Sequence, residues 1–163
     1  MKVAIFIGSE SDFEIVKGAA ETLKEFEVPF VLEVTSAHRT PERTVNLVET
    51  LEAEGVEVFI AVAGKAAHLA GVVAAHTSLP VIAVPVGSTT LSGFDALLSS
   101  VQMPKGVPVA CMGLGKSGAI NAALLAVQVL ALKDPGLASK MKEYKQKMAA
   151  QVEESSAKIK DLL

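Results

Sequence analysis

The chain has 163 residues, half of them hydrophobic and 4% aromatic, which suits one domain with a core of small aliphatic side chains. Its formal net charge of −3 argues against a nucleic-acid binder that depends on a broad basic field. The single cysteine, Cys111, excludes an intramolecular disulfide and a four-cysteine zinc site, and it fits a reducing, cytoplasmic setting.

Apolar runs of strand length alternate along the chain with segments of helical period. Strands are predicted at 2–8, 29–36, 56–63, 79–86 and 107–113. Helices are predicted at about 11–26, 41–54, 66–76, 91–100, 116–132 and 135–160. Continuous apolar strands are typical of a sheet covered on both faces, and five strand–helix units in series predict a parallel sheet. We therefore expect a single α/β domain over residues 1–163.

The last predicted helix carries an apolar stripe on an otherwise charged surface. Its members recur at steps of three and four residues: Leu137, Met141, Tyr144, Met148 and Val152. Because the sheet already has its helices, we expect this stripe to pack on a neighbouring subunit. The alternative is a helix that closes an edge of its own domain.

No membrane segment is predicted. The first apolar run ends after six residues, too short for the core of a signal peptide, and it is better explained as a strand. The longest later candidate, 122–132, contains Gln128 and is too short to span a bilayer.

Ligands of an open parallel sheet bind beyond the carboxyl ends of its strands, so the loops that follow the predicted strands carry most information. These loops are rich in glycine and hydroxyl residues: GSESD (8–12), TSAHRTP (35–41), AGKAAHLAG (63–71), GSTTLSG (87–93) and GLGKSG (113–118). His38 and His68 lie in two of them, whereas His76 lies near a helix end. We expect the functional site at this edge of the sheet.

The first of these loops, GSESD, allows a structural and a functional interpretation. Backbone amides and hydroxyls at a helix start suit a phosphate. The same residues also form a capping box, with Ser11 as N-cap and Glu14 three positions on. The two interpretations are compatible, because Ser9 would stay free to meet a ligand.

In the second loop, Thr40 can cap a helix and Pro41 suits its first position, but neither accounts for His38 and Arg39. Arg39 beside a helix start could complete a bidentate phosphate clamp. His38 can both give and take a proton near neutral pH. Since a lone histidine is often structural, spacing alone leaves both roles open.

Three other kinds of site are not supported by spacing. GLGKSG is not a P-loop, because position 110 is alanine, and its G-x-G-x-x-G match lacks the following strand and acid of a dinucleotide site. Close approach of this backbone to a ligand or a neighbouring subunit is expected instead. The histidines lack metal-ligand spacing, and no G-x-S-x-G nucleophile elbow occurs.

Six segments in order, which lie between residues 8 and 126, together resemble the PurE family of purine biosynthesis, in its 5-(carboxyamino)imidazole ribonucleotide mutase branch. The resemblance runs from about residue 3 to residue 132. The segments are GSESD, SAHRTP, AGKAAHL, SLPVIAVPV, LSGFDALLSSVQMPKGVPV and NAALLA. The resemblance implies a three-layer α/β/α flavodoxin-like sandwich with a parallel five-stranded sheet and an extra C-terminal helix. It also implies a homo-octamer and a reaction without metal, ATP or organic cofactor.

The implied reaction converts 5-(carboxyamino)imidazole ribonucleotide into 4-carboxy-5-aminoimidazole ribonucleotide, with carbon dioxide as a trapped intermediate. By the same resemblance, His38 is the proton shuttle, Ser9, Asp12 and Arg39 hold the ribose phosphate, and Ser36 with the 64–69 loop lines the carboxylate pocket. The implied substrate-binding set is Ser9, Ser11, Asp12, Ser36, Arg39, Gly64, Lys65, Ala66, His68 and Leu69. LSG (91–93) and QMPKG (102–106) would close the site across a subunit boundary.

This sequence departs from the mutase branch at two positions, since that branch generally has glycine in place of Lys65 and proline in place of Ala70. A cation at Lys65 could stabilise a carboxylate or point to solvent. Arg39 and His68 follow the mutase pattern. A related branch carboxylates the ribonucleotide with free carbon dioxide; it tends to carry lysine in place of Arg39 and lacks the equivalent of His68. That carboxylase is the first alternative. A non-catalytic nucleotide- or flavin-binding module and a structural subunit are alternatives of other classes.

Overall fold

The computed structural model describes residues 2–160 and residue 162. The strands are β1 (Val3–Ile7), β2 (Phe30–Val34), β3 (Val58–Gly64), β4 (Val81–Val86) and β5 (Ala110–Cys111). The helices are α1 (Phe13–Glu25), α2 (Pro41–Ala53), α3 (Leu69–Ala75), α4 (Phe94–Val101), α5 (Gly115–Ala131) and α6 (Pro135–Lys160), and a 3-10 turn covers Glu10–Asp12. The predicted alternation of strands and helices is confirmed.

The five strands form one parallel sheet in the order β2-β1-β3-β4-β5. This is the flavodoxin-like order, in which the chain changes direction across the sheet between β1 and β3. The backbone pairing continues past the strand ends, because Gly8 N donates to Val62 O at 3.0 Å and Thr35 N donates to Ile7 O at 3.0 Å. The loops after β1, β2 and β3 therefore start side by side.

The sheet is covered on both faces, as the continuous apolar strands predict. On one face Ala4, Phe6 and Phe59 pack with side chains of α2 and α3, and the rings of Phe6 and Phe59 lie 5.6 Å apart. Val3, Ile5 and Ile7 alternate to the opposite face and are also buried. Fully buried aliphatic side chains on both faces fix the register, because a slip of one residue would exchange the two faces.

The fifth strand is much shorter than the predicted 107–113. β5 lies at the sheet edge and pairs with β4 through Ala110 and Cys111. Pro108 has no backbone N–H to donate, and Gly106 adopts a left-handed φ of 101° just before it. Apolar character alone did not reveal that the chain enters this edge through a turn.

The described chain forms two compact units, one that runs to Ala126 and one that starts at Val127. The second unit holds the end of α5 and the whole of α6. Within the apolar stripe of α6, Leu137 and Met141 are buried, whereas Met148 is 42% exposed and Val152 is 70% exposed. None of the described helices has the length and apolar character needed to cross a membrane.

Candidate functional site

A cavity of about 690 Å³ lies at the carboxyl ends of β1, β2 and β3, within the range of small-molecule sites. The residues predicted one by one as catalytic or substrate-binding all line this cavity: Ser9, Ser11, Asp12, Ser36, His38, Arg39, Gly64, Lys65, Ala66, His68 and Leu69. Gly8, Ala37, Ala63 and Ser88 also line it, and sequence reasoning missed them. The parallel topology brings the three loops together.

Two histidines from different loops meet in this cavity. His38 Nε2 lies 2.9 Å from His68 Nδ1, and the rings meet edge to face with centroids 4.9 Å apart. When both rings are neutral, one of these nitrogens donates and the other accepts. The contact therefore fixes the orientation of the His38 ring.

Arg39 follows His38 in the same loop and is anchored by two hydrogen bonds. Its Nη2 donates to the Gly8 carbonyl oxygen at 2.8 Å, and its backbone N–H donates to Ser36 Oγ at 3.2 Å. The Nη2 contact uses one part of the guanidinium, so its other N–H groups can serve an anion. Arg39 thus supplies a fixed positive charge beside the serines of the first loop.

Asp12 brings a buried carboxyl group to the cavity, with 8% of the residue exposed. Desolvation raises the pKa of Asp12, while a hydrogen bond from the Ser9 backbone and the positive charge of Arg39 lower it by less. The ionised carboxylate of Asp12 is thus partly stripped of water, which costs free energy. A ligand that donates hydrogen bonds to it would recover part of that cost.

The prediction that Ser11 is the N-cap of the first helix is wrong. A 3-10 turn precedes α1, and the Ser9 side chain caps that turn by accepting from Ser11 N at 3.4 Å. Ser11 Oγ also donates to Ser9 Oγ at 3.0 Å. Because the turn places Asp12 before the helix, Ser9, Ser11 and Asp12 all face the cavity.

A cluster of hydroxyl groups shapes the loop that carries His38. Thr35 and Thr44 are almost fully buried, and their Oγ1 atoms lie 2.7 Å apart. Thr40 occupies the N-cap position and Pro41 opens α2, as predicted. The Thr40 hydroxyl, however, bonds the Ser36 backbone, accepting from its N–H at 3.0 Å and donating to its carbonyl at 3.2 Å, instead of capping the helix. The loop is therefore tied to both β2 and α2.

The loop after β3 has a tight backbone. A Cβ atom on Gly64 would lie 2.5 Å from Ser88 Oγ and 3.1 Å from the Val86 carbonyl oxygen, so a larger residue there would force Ser88 and the Val86 carbonyl to shift. Lys65 follows with a left-handed φ of 58°, and His68 N donates to Ala66 O at 2.8 Å. Glycine adopts such a φ at least cost, which gives a physical reason for the glycine that the family resemblance implies in place of Lys65.

The glycine-rich GLGKSG segment does not line the cavity. Gly118 lies so close to the Gly113 carbonyl that no side chain fits, so the close approach is to the chain's own backbone. The expected approach of this segment to a ligand or a neighbouring subunit stays a prediction. The segments 91–93 and 102–106 do not line the cavity either. Across residues 2–160 and 162, no three His, Cys, Asp or Glu side chains cluster closely enough to hold a metal ion.

The doubly wound parallel sheet, with a histidine pair and an anchored arginine at its direction change, defines an α/β protein with a small-molecule site. Within that class, the chain belongs to the AIR carboxylase family, which it matches over residues 2–151.

Two relatives and one solved structure show the extent of the match. A protein of Methanocaldococcus jannaschii named N5-carboxyaminoimidazole ribonucleotide mutase is 52% identical over 160 residues, which cover 98% of each chain. A protein of the same name from Pyrococcus abyssi is 52% identical over 147 residues, covering 90% of this chain and 83% of its own. The crystal structure of Treponema denticola PurE superposes with a TM-score of 0.87 at 32% identity, over 96% of both chains.

Proposed function

We propose that this protein is an isomerase that interconverts 5-(carboxyamino)imidazole ribonucleotide and 4-carboxy-5-aminoimidazole ribonucleotide in de novo IMP synthesis. The observation that carries the proposal is the hydrogen-bonded pair of His38 and His68 in the same cavity as the anchored Arg39. The mutase relatives, at about half identity over nearly the whole chain, support the same reaction. The enzyme works in the cytoplasm without metal, ATP or organic cofactor.

The ribose phosphate binds at the end of the cavity formed by the first loop and Arg39. Ser9, Ser11 and Arg39 supply hydroxyl and guanidinium donors for the phosphate, and the Asp12 carboxylate accepts from ribose hydroxyls. This binding energy is remote from the reacting atoms. It holds the imidazole ring of the substrate next to His38 and so lowers the entropy cost of the chemical step.

The chemistry needs one proton carrier. His38 donates a proton to the exocyclic nitrogen, the bond from that nitrogen to the carboxylate carbon breaks, and carbon dioxide leaves as a neutral molecule. Ring carbon 4 then attacks carbon dioxide, the new carbon–carbon bond forms, and the hydrogen of carbon 4 returns to His38 as a proton. His68 holds the His38 ring in position throughout, because its Nδ1 bonds His38 Nε2.

Released carbon dioxide must stay beside the ring until carbon 4 attacks it. Ser36 and the 64–69 loop form this part of the cavity, and Ala37, Ala63 and Ala66 give it small apolar walls. Such walls leave little room for ordered water, which would hydrate the released gas. The remote segments 91–93 and 102–106 complete the enclosure from a neighbouring subunit.

The chain acts as one PurE-like unit in a homo-octamer. The exposed half of the α6 stripe, with Met148 and Val152, supports packing of this helix on a neighbouring subunit, since exposed apolar rows mark protein contacts. The partners of the enzyme are thus its own copies and the ribonucleotide, and neither nucleic acid nor a membrane takes part.

Incubating the purified protein with each carboxylated ribonucleotide tests the proposal directly. Both should be converted into the same equilibrium mixture in the absence of ATP and bicarbonate. Carboxylation that needs bicarbonate and the uncarboxylated ribonucleotide would instead assign the direct carboxylase. An absence of turnover, together with the absorbance of a bound flavin, would assign the non-catalytic module.

A further inference from the structure

The cavity is lined by two basic side chains that come from different loops. Of the described residues that line it, Arg39 and Lys65 are the ones with a fixed positive charge, and Asp12 is the one with a carboxyl group. Arg39 is anchored on Gly8 and Ser36, beside the serines of the first loop. Lys65 comes from the loop after β3, which also carries His68.

The backbone of Lys65 is not one that a lysine favours. Its φ of 58° lies in the left-handed region, where a residue with a Cβ pays a conformational penalty and glycine does not. The residue is exposed on the cavity side of the loop, so burial of its stem does not offset the penalty. A strained backbone at a site is a reason to ask what the side chain contributes there.

We propose that Lys65 binds the carboxylate of the substrate and product, as a second anion clamp in addition to Arg39. The inference rests on the proposed function, because it takes the ligand to be a ribonucleotide with a phosphate and a carboxylate. The Arg39 guanidinium is tied to the first loop, because its Nη2 donates to the Gly8 carbonyl oxygen at 2.8 Å. The carboxylate must reach the histidine pair, and Lys65 lies three residues before His68 in the same loop.

A cation on the carboxylate has a definite kinetic signature. Lys65 stabilises the two carboxylated ribonucleotides but not neutral carbon dioxide, so it strengthens the bound ground states rather than the decarboxylated intermediate. Its removal should therefore raise KM and leave kcat unchanged or slightly higher. A residue that merely shaped the loop would lower kcat as well, because the His68 contact to His38 would shift.

The test compares Lys65→Met, Lys65→Arg and Lys65→Gly with wild type, and Lys17→Met serves as a control on an exposed face of α1 outside the cavity. In Lys65→Met we expect KM for both carboxylated ribonucleotides to rise about tenfold, the range for loss of one charged hydrogen bond. The inhibition constant of uncarboxylated aminoimidazole ribonucleotide should not change. Lys65→Arg should keep most of the affinity, and Lys65→Gly should match Lys65→Met in KM while melting at a higher temperature.

An unchanged KM in Lys65→Met, or an equal loss for the uncarboxylated ribonucleotide, would overturn the inference. Calorimetric binding of 4-carboxy-5-aminoimidazole ribonucleotide separates this result from the proposed function. If wild type binds it tightly without turnover and Lys65→Met binds it weakly, the mutase proposal fails and the role of Lys65 stands. If wild type does not bind it, both fail.

Discussion

The nitrogen atoms of His38 and His68 lie 2.9 Å apart although 30 positions separate the residues. The sequence predicted both histidines at the functional edge, because each follows a predicted strand. Their hydrogen bond was not predictable, since the position of a residue in a loop does not give the direction of its side chain. The same limit applies to Ser88, whose place in the cavity follows from the close contact between the loops after β3 and β4.

Replacement of His38 by asparagine should remove the proton carrier and leave the cavity in place. We expect kcat to fall roughly 10²- to 10⁴-fold, the usual contribution of a general acid–base group, with nucleotide binding nearly unchanged. Steady-state kinetics together with calorimetric binding would measure both. As a control, His76→Asn changes an exposed histidine at the end of α3, outside the cavity, and should behave as wild type. Near-normal turnover in the first variant would remove His38 from its role.

Asp12 should make the protein less stable at neutral pH than it would be without the charge. Desolvation raises the pKa of Asp12 in the folded state, so the folded chain holds this proton more tightly than the unfolded chain. The free energy of unfolding therefore falls as pH rises through the interval between the unfolded and folded pKa values, and stays lower above it.

Asp12→Asn removes this ionisation. We expect the variant to melt at a higher temperature than wild type at pH 7, because the cost of ionising the buried carboxyl group is removed. The difference should disappear at a pH below both pKa values, and ribonucleotide binding should weaken. Calorimetric melting across pH would measure this, and parallel curves for the two proteins at every pH would contradict it.

At the scale of elements, the strands were located well and their ends less well. β1 and β4 lie within their predicted ranges and β3 ends one residue beyond its range, because central strands of a covered sheet are continuous apolar runs. β5 is shorter than predicted, because Pro108 cannot donate a backbone hydrogen bond although it lies in an apolar run. α1 starts later than predicted, because the turn capped by Ser9 precedes it. Edge strands and helix starts depend on single hydrogen bonds that a pattern does not show.

The junction of β3 with α3 offers a test at this scale. Gly64→Ala would place a methyl group 2.5 Å from Ser88 Oγ and 3.1 Å from the Val86 carbonyl, so Ser88 or the loop that carries Lys65 and His68 must shift. We expect a loss of roughly 1–3 kcal/mol in the free energy of unfolding, and a drop in kcat/KM. Denaturant unfolding and steady-state kinetics would measure the two effects.

Two further variants show whether the contact with Ser88 is responsible. Addition of Ser88→Ala to Gly64→Ala removes the closest atom and should restore part of the stability. Gly113→Ala is a matched control, because a Cβ atom there meets nothing within 4 Å and its φ is not left-handed. Equal effects of the substitutions at Gly64 and Gly113 would show that the close packing at Gly64 is unimportant.

At the scale of the whole molecule, the period of the sequence predicted the apolar stripe of α6. It did not predict which surface the stripe contacts. A single chain does not show which neighbour covers the exposed half. If that half packs on another subunit, Met148→Glu with Val152→Glu should reduce the mass of the assembly in solution, because two buried charges without partners would destabilise the contact. Light scattering after gel filtration would measure the mass.

The matched control for this pair is Lys145→Glu with Lys147→Glu, which changes exposed polar positions on the same helix. We expect the control to keep the mass of eight chains. A mass of eight chains in both double variants would contradict packing through the α6 stripe, and a single-chain mass for wild type would contradict the octamer.

The central claim is that carbon dioxide stays in the cavity between its release and its recapture under the control of His38. The most direct measurement uses 5-(carboxyamino)imidazole ribonucleotide labelled with ¹³C in its carboxylate, converted by the enzyme in unlabelled bicarbonate and analysed by NMR. We predict that the label is retained in the carboxylate on ring carbon 4 of the product. Exchange of that label with the bicarbonate pool during a single conversion would contradict the account.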